Sequence, residues 1–233
     1  MVAIMVDIIV ATAGLIVPLR CAFCAADCDD DPLCTACRAQ LPWNRQACPR
    51  CALPQTHDGV CAHCLAHPPA YRAAWAPLRL EAPVREQIHA LKYHAAFMHA
   101  HLLGRLFAES LVERGAPPPD VVLPVPLHPW RQWRRGYNQS VELARALCAA
   151  GGLRLEAGWA RRVRRTADQI GTDAAARRRN VAGAFRVDPR VQDLRVAVLD
   201  DVMTTGATLG ELARTCLRAG AREVEAWAIA RVA

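Results

Sequence analysis

The 233-residue chain is 53% hydrophobic and 22% charged, with 11 cysteines and a net charge of +7. That balance excludes a disordered chain, and the length suffices for one domain of ordinary size plus a small attachment. Of the 29 basic residues only Lys92 is a lysine, a bias that favours bidentate recognition of phosphate by guanidinium groups.

The first residues, MVAIMVDIIVATAGLIVPL, are apolar. Asp7 interrupts them, however, and the uncharged stretch Ile8–Leu19 is shorter than the roughly 20 residues a membrane span needs. No basic segment precedes it, as a secretory signal would require, so a short amphipathic or buried helix and a cytoplasmic location are expected.

Nine of the eleven cysteines lie between Cys21 and Cys64. Eight form C-x-x-C pairs: Cys21 with Cys24, Cys34 with Cys37, Cys48 with Cys51, and Cys61 with Cys64. Two intervening residues let both thiolates of a tight turn reach one ion at about 2.3 Å, and two such turns complete a tetrahedral zinc shell. Four turns therefore imply two structural zinc ions, and a disulfide framework is disfavoured without a secretory signal. Spacing leaves open which pairs share an ion: consecutive pairing gives two ribbons, interleaved pairing a cross-braced module. With little apolar material of its own, the segment depends on metal for stability. Cys28, His57, His63 and His67 read as bystanders, and Cys148 and Cys216 as core thiols of helices.

His67-Pro68-Pro69-Ala70 reads as a hinge, dividing a Cys-rich domain over residues 1–70 from an α/β domain over 71–233. In the latter, Ala73–Leu80 reads as a strand, Pro83–Tyr93 as a helix opening on proline, and Ala100–Arg114 as a helix ending at Gly115. Asp120–Val125 reads as a short buried strand. A basic aromatic loop, PLHPWRQWRRGYN, follows it, then a helix over Gln139–Ala149. Residues 159–180 are arginine-rich and sparsely apolar, while Ala184–Val187, Arg195–Leu199 and Glu223–Arg231 read as strands. Between the last two, Leu209, Leu212, Ala213, Cys216 and Leu217 form one helical stripe capped by Gly220. Alternating strands and helices predict a parallel sheet covered on both faces, with ligands at the carboxyl ends of its strands.

VAVLDDVMTTGATL, Val196–Leu209, lies at such an end. Asp200 and Asp201 are expected to emerge into solvent after the strand. Thr204, Thr205, Gly206, Ala207 and Thr208 would then offer N–H and hydroxyl groups at a helix N-terminus, an anion cradle in which Gly206 permits positive φ or close approach of a phosphate. The carboxylates cannot bind that phosphate and need hydroxyls or a metal; a phosphorylated ribose meets both demands. A P-loop ATPase would need G-x-x-x-x-G-K-[ST], and the sole lysine lies in HALKYH with no glycine near it.

These fourteen residues resemble the phosphoribosyl pyrophosphate (PRPP) motif of type I phosphoribosyltransferases. Together with the four cysteine pairs and VPVPLHPWRQWRRGYNQS between them, the chain resembles the ComF family, including its GntX-like members. The resemblance implies a type I phosphoribosyltransferase-like domain preceded by a double zinc ribbon. It implies Asp200 and Asp201 as the catalytic pair on the ribose hydroxyls and Thr204–Thr208 on the 5′-phosphate. Arg134, Arg135, Gly136, Tyr137, Asn138 and Gln139 match the pyrophosphate loop. Arg161–Arg165, Thr166, Gln169, Arg178 and Asn180 match a mobile loop over the site, and magnesium would bridge pyrophosphate and ribose. The resemblance also implies a link to DNA uptake and natural transformation, with single-stranded DNA and DNA-uptake or recombination proteins as partners.

Two functions follow: phosphoribosyl transfer to a nitrogenous acceptor, or a DNA-handling module whose PRPP pocket is regulatory or vestigial. For the first, acids beside the ribose and arginines beside the pyrophosphate would stabilise opposite ends of one transition state. For the second, Trp130, Trp133 and Tyr137 are base-stacking platforms, or else core anchors, and the arginine runs are otherwise a solvated face.

Overall fold

The computed structural model describes residues 19–164 and 174–233. The helix expected at the start of the chain lies outside these residues, as do Arg165, Thr166 and Gln169. The chain forms two compact units, Met1–Leu41 and Pro42–Ala233.

In the first unit, β1 (Leu19–Arg20) pairs antiparallel with β2 (Asp27–Cys28), and α1 (Thr35–Ala39) follows. The turn between the strands is closed by Cys21 N–H on the Ala26 carbonyl at 2.8 Å. Cys34 caps α1, its Sγ accepting from Cys37 N at 3.4 Å.

The second unit opens with the Cys48–Cys51 turn and α2 (Ala62–Ala66). Then come β3 (Ala73–Trp75), β4 (Leu78–Arg79), α3 (Val84–Tyr93), α4 (Phe97–Arg114), β5 (Val121–Pro124), α5 (Pro129–Arg135), α6 (Gln139–Gly151) and β6 (Ala160–Arg162). α7 (Ala174–Val181), β7 (Phe185–Val187), β8 (Arg195–Met203), α8 (Ala207–Arg218) and β9 (Glu223–Arg231) complete it. The main sheet runs β3-β9-β8-β5 with β4 also on β9, every pair parallel, while β6 and β7 form a separate antiparallel ribbon.

Val196–Leu199 and Ala226–Ala230 are wholly buried, as parallel strands covered on both faces require. Leu209, Leu212, Ala213 and Cys216 of α8 share one core with Val121, Val196, Val198 and Ala226. Leu217, expected on that stripe, is exposed instead. α4 packs against α6 at Gly104, where a Cβ would lie 2.6 Å from the Ala146 Cβ.

The strand expected over Ala73–Leu80 is broken in two, because Pro77 supplies no N–H to the ladder. The arginine-rich stretch after residue 159 yields β6 and α7, which its sparse apolar pattern did not announce. The second cysteine turn is knitted to the sheet. Asn44 Nδ2 donates to the carbonyls of Ala52 and Ala76 at 2.9 and 3.0 Å. Arg231, only 7% exposed, donates to the carbonyls of Cys51 and Met203 at 2.9 and 3.1 Å. Compactness therefore divides the chain upstream of the composition change at residue 70. Among the described residues no helix is long and apolar enough to cross a membrane.

Candidate functional site

β5 ends at Pro124, opposite Leu199, whereas β9 accompanies β8 as far as Met203 opposite Arg231. The strand thus continues beyond its apolar run and carries both acids within it, where one neighbour has already stopped. This corrects the expectation that they emerge into solvent: Asp201 is 4% exposed and Asp200 is partly buried.

Both carboxylates are held. Asp200 Oδ1 accepts from Ser140 Oγ and from Asp201 N, each at 2.9 Å. Asp201 Oδ1 accepts from Val202 N at 2.9 Å, and its Oδ2 lies 2.6 Å from Lys92 Nζ. Burial, reinforced by the Asp201 charge, pushes the Asp200 carboxyl up to about 7 against the opposing pull of Lys92 and Ser140. Burial disfavours the charge on Lys92, but the facing Asp201 outweighs it and raises the ammonium above its ordinary range.

After β8 the chain turns through Thr204 and Thr205 to Gly206, which caps α8 at φ +71°. Tyr71 supports this turn from behind, its hydroxyl 3.0 Å from where a Gly206 Cβ would lie. Asp200, Asp201, Thr204, Thr205, Gly206, Ala207 and Thr208 line one cleft of about 370 Å³. Gln139 and Ser140 line it as well, with Lys92, Arg131, Arg162, Arg177 and Asn180. Two acids and a hydroxyl- and amide-rich turn thus face four cations, a set suited to an anionic ligand that also carries hydroxyl groups.

The expected pyrophosphate loop is largely helical. His128 caps α5 through Nδ1, Pro129 opens it, and Gly136 at φ +84° ends it. That geometry turns Arg131 into the cleft and leaves Arg134, Arg135, Gly136, Tyr137 and Asn138 outside its lining. Arg134 lies 5.7 Å over the Trp130 ring. Arg135 lies 5.8 Å over Tyr93 and donates to Gln139 Oε1 at 2.5 Å. Tyr137 donates to the Leu91 carbonyl and meets Phe97 edge-on at 5.1 Å. Asn138 caps α6 by accepting from Ser140 N and donates to the Val125 carbonyl, both at 3.0 Å. These residues build the frame around Gln139 and Ser140. Gln169 and the side chain of Arg178 lie outside the described residues.

Lys92, Arg131, Ser140 and Arg177 line the cleft without belonging to the residues the sequence pattern marks. The signal for Lys92 was its being the only lysine in an arginine-rich chain; a helical pattern alone gave no reason to aim it at a strand far along the chain.

The cysteines gather into two sets, Cys21, Cys24, Cys34 and Cys37 in the first unit, and Cys48, Cys51, Cys61 and Cys64 in the second. Within each set the sulfur atoms all lie within 4.8 Å of one another. These are two four-cysteine zinc-binding sites with consecutive pairing. Cys61 N donates to Cys48 Sγ at 3.3 Å, the sulfur-directed amide that favours a thiolate. Cys28 stands outside both sets, and Cys148 and Cys216 are buried in helices.

Residues 12–65 match the double zinc ribbon domain. The chain is 35% identical over 204 residues to DNA utilization protein YhgH of Salmonella typhi, covering 85% of this chain and 90% of that protein. It is 30% identical over 224 residues to competence protein F of Haemophilus influenzae, covering 91% and 96%. Among solved structures, a purine phosphoribosyltransferase from Pyrococcus horikoshii superposes at a TM-score of 0.34 with 16% identity, over 56% of this chain and 84% of that one. At that score the assignment of a parallel α/β fold rests on the strand order itself.

Proposed function

The chain belongs to the ComF family of double zinc ribbon proteins, with DNA utilization protein YhgH and competence protein F among its relatives, and on that premise we propose that its cleft binds PRPP. The observation that carries this reading is the meeting of the acid pair and the Thr204–Thr208 turn in one cleft with arginines opposite. In this reading the 5′-phosphate sits on the amides at the start of α8. The ribose hydroxyls meet Asp200 and Asp201, and the pyrophosphate lies toward Arg131, Arg162 and Arg177.

The reaction such a site serves is phosphoribosyl transfer to a nitrogenous acceptor. As the bond to pyrophosphate lengthens, positive charge gathers on the ribose beside the acids and negative charge on the leaving group beside the arginines, so both ends of the transition state are stabilised at once. A bound magnesium ion would neutralise further charge on the pyrophosphate. The two carboxylates are suitable hard donors, but each already accepts hydrogen bonds, so most of a magnesium shell would come from ligand oxygens and water.

A second reading is favoured by the surface beside the cleft. Trp133 is 83% exposed, Trp130 lies under Arg134, and Tyr93 under Arg135. Exposed rings interleaved with arginines suit single-stranded DNA, in keeping with the relatives' names, with PRPP then regulating DNA handling.

Calorimetric titration with PRPP tests the first reading. The wild-type protein is expected to bind more tightly with magnesium, and Asp200→Asn with Asp201→Asn to weaken binding tenfold or more. A wild-type protein giving no heat at millimolar PRPP with magnesium overturns it.

A further inference from the structure

Lys92 is the only lysine among 29 basic residues, and it lines the cleft beside Asp201. Its side chain is 26% exposed, and its ammonium lies 2.6 Å from Asp201 Oδ2. The turn of α3 that carries it is pinned on both sides: the Leu91 carbonyl receives the Tyr137 hydroxyl, and Tyr93 lies under Arg135. Lys92 is therefore held at the site by the same segment that presents Gln139 and Ser140.

Its partner is one oxygen, Asp201 Oδ2, while the other oxygen of that carboxylate is taken by Val202 N. As the cleft stands, Asp201 has no carboxylate oxygen clear of a donor to offer a sugar. A guanidinium would grip such a carboxylate by a two-point fork; an ammonium is a point charge with three donors, able to turn from one oxygen to another at little cost in geometry.

Resting on the PRPP reading above, we propose that Lys92 exchanges partners when ligand binds: its ammonium moves from Asp201 to a phosphate oxygen of the pyrophosphate group, and Asp201, so released, accepts from the ribose hydroxyls. The ion pair then acts as a latch that an uncharged sugar cannot open, because without a phosphate to receive the ammonium, freeing Asp201 would strand its buried carboxylate beside a half-buried ammonium. The cleft thereby selects ligands that carry anion and diol together.

The test uses the full-length, zinc-loaded protein with two separate probes, inorganic pyrophosphate and ribose 5-phosphate, titrated by calorimetry against wild type, Lys92→Met, and the double variant Lys92→Met with Asp201→Asn. Losing one charge-assisted contact corresponds to an affinity change of about tenfold or more. In Lys92→Met, pyrophosphate affinity is expected to fall by that factor while ribose 5-phosphate affinity holds or rises, since Asp201 is already released. The double variant removes the carboxylate that Lys92 pairs with, which limits a folding defect from a stranded Asp201, and the pyrophosphate loss is expected to persist in it. If both probes weaken alike in Lys92→Met, or the double variant binds pyrophosphate as wild type does, the exchange is refuted and PRPP binding stands. If wild type binds neither probe, the PRPP reading falls and the exchange with it.

Discussion

Replacing Asp200 by asparagine is predicted to stabilise the protein at neutral and alkaline pH and to change little in acid. Burial and the Asp201 charge hold the Asp200 carboxyl at about 7, against an ordinary value of 3.8. In the unfolded chain it ionises at the ordinary value. Between those limits the folded state binds more protons than the unfolded one, so the stability associated with protonated Asp200 is complete below about pH 4 and is lost as pH rises to about 7. The full difference is on the order of a few kcal/mol, shared among Asp200, Asp201 and Lys92. Asparagine keeps the acceptor oxygen for Ser140 Oγ and Asp201 N but carries no charge. Urea unfolding of wild type and Asp200→Asn at pH 5, 6, 7 and 8.5 reads the effect as a difference, in which contributions from the shared zinc sites cancel. The advantage of Asp200→Asn is expected to grow steadily from pH 5 to 7 and to be flat above pH 7. Parallel stability curves across that range would refute the claim that the cleft stores an unfavourable charge at Asp200.

Further outcomes follow from other contacts. Serine at Cys21, Cys24, Cys34 and Cys37 together should leave one zinc per chain by elemental analysis, whereas interleaved pairing would leave none. Gly104→Ala drives a methyl to 2.6 Å from the Ala146 Cβ and should cost about 1–3 kcal/mol in chemical denaturation; an unchanged midpoint would mean that α4 and α6 do not pack this closely. Gly206→Ala must hold φ +71° against the Tyr71 hydroxyl, at about 1–2 kcal/mol for the backbone alone, and should weaken PRPP binding; unaltered affinity would remove the turn from the site. Trp133→Ala should weaken binding of single-stranded DNA by about 1–3 kcal/mol in fluorescence anisotropy, with wild-type affinity falling steeply with salt. DNA binding indifferent to both would leave that surface without a nucleic-acid role.

Features with a short sequence period were legible. The C-x-x-C pairs announced two metal sites, and the apolar run before Asp200 announced a strand meeting a glycine-bearing turn. What stayed hidden depends on partners distant in the chain. Spacing could not say that Cys21 and Cys24 share an ion with Cys34 and Cys37, because C-x-x-C fixes only the local turn. The apolar run stops at Leu199, but the strand does not, because β9 pairs with it through Met203, and this longer pairing is what buries Asp201. A loop would let Arg134 and Arg135 face the ligand; the α5 helix rotates Arg131 inward in their place. HALKYH carries no glycine-rich context that would mark Lys92, yet the packing of α3 delivers it to Asp201.

In the PRPP reading, the acid pair and the Thr204–Thr208 turn hold the two ends of one sugar phosphate. A crystal structure of the protein with PRPP and magnesium tests it most directly. The 5′-phosphate is expected on the amides of residues 206–208, and the ribose hydroxyls within hydrogen-bonding distance of Asp200 and Asp201. A ligand bound elsewhere, or the phosphate turned away from that helix start with the acids still closed on Lys92 and Ser140, would contradict it.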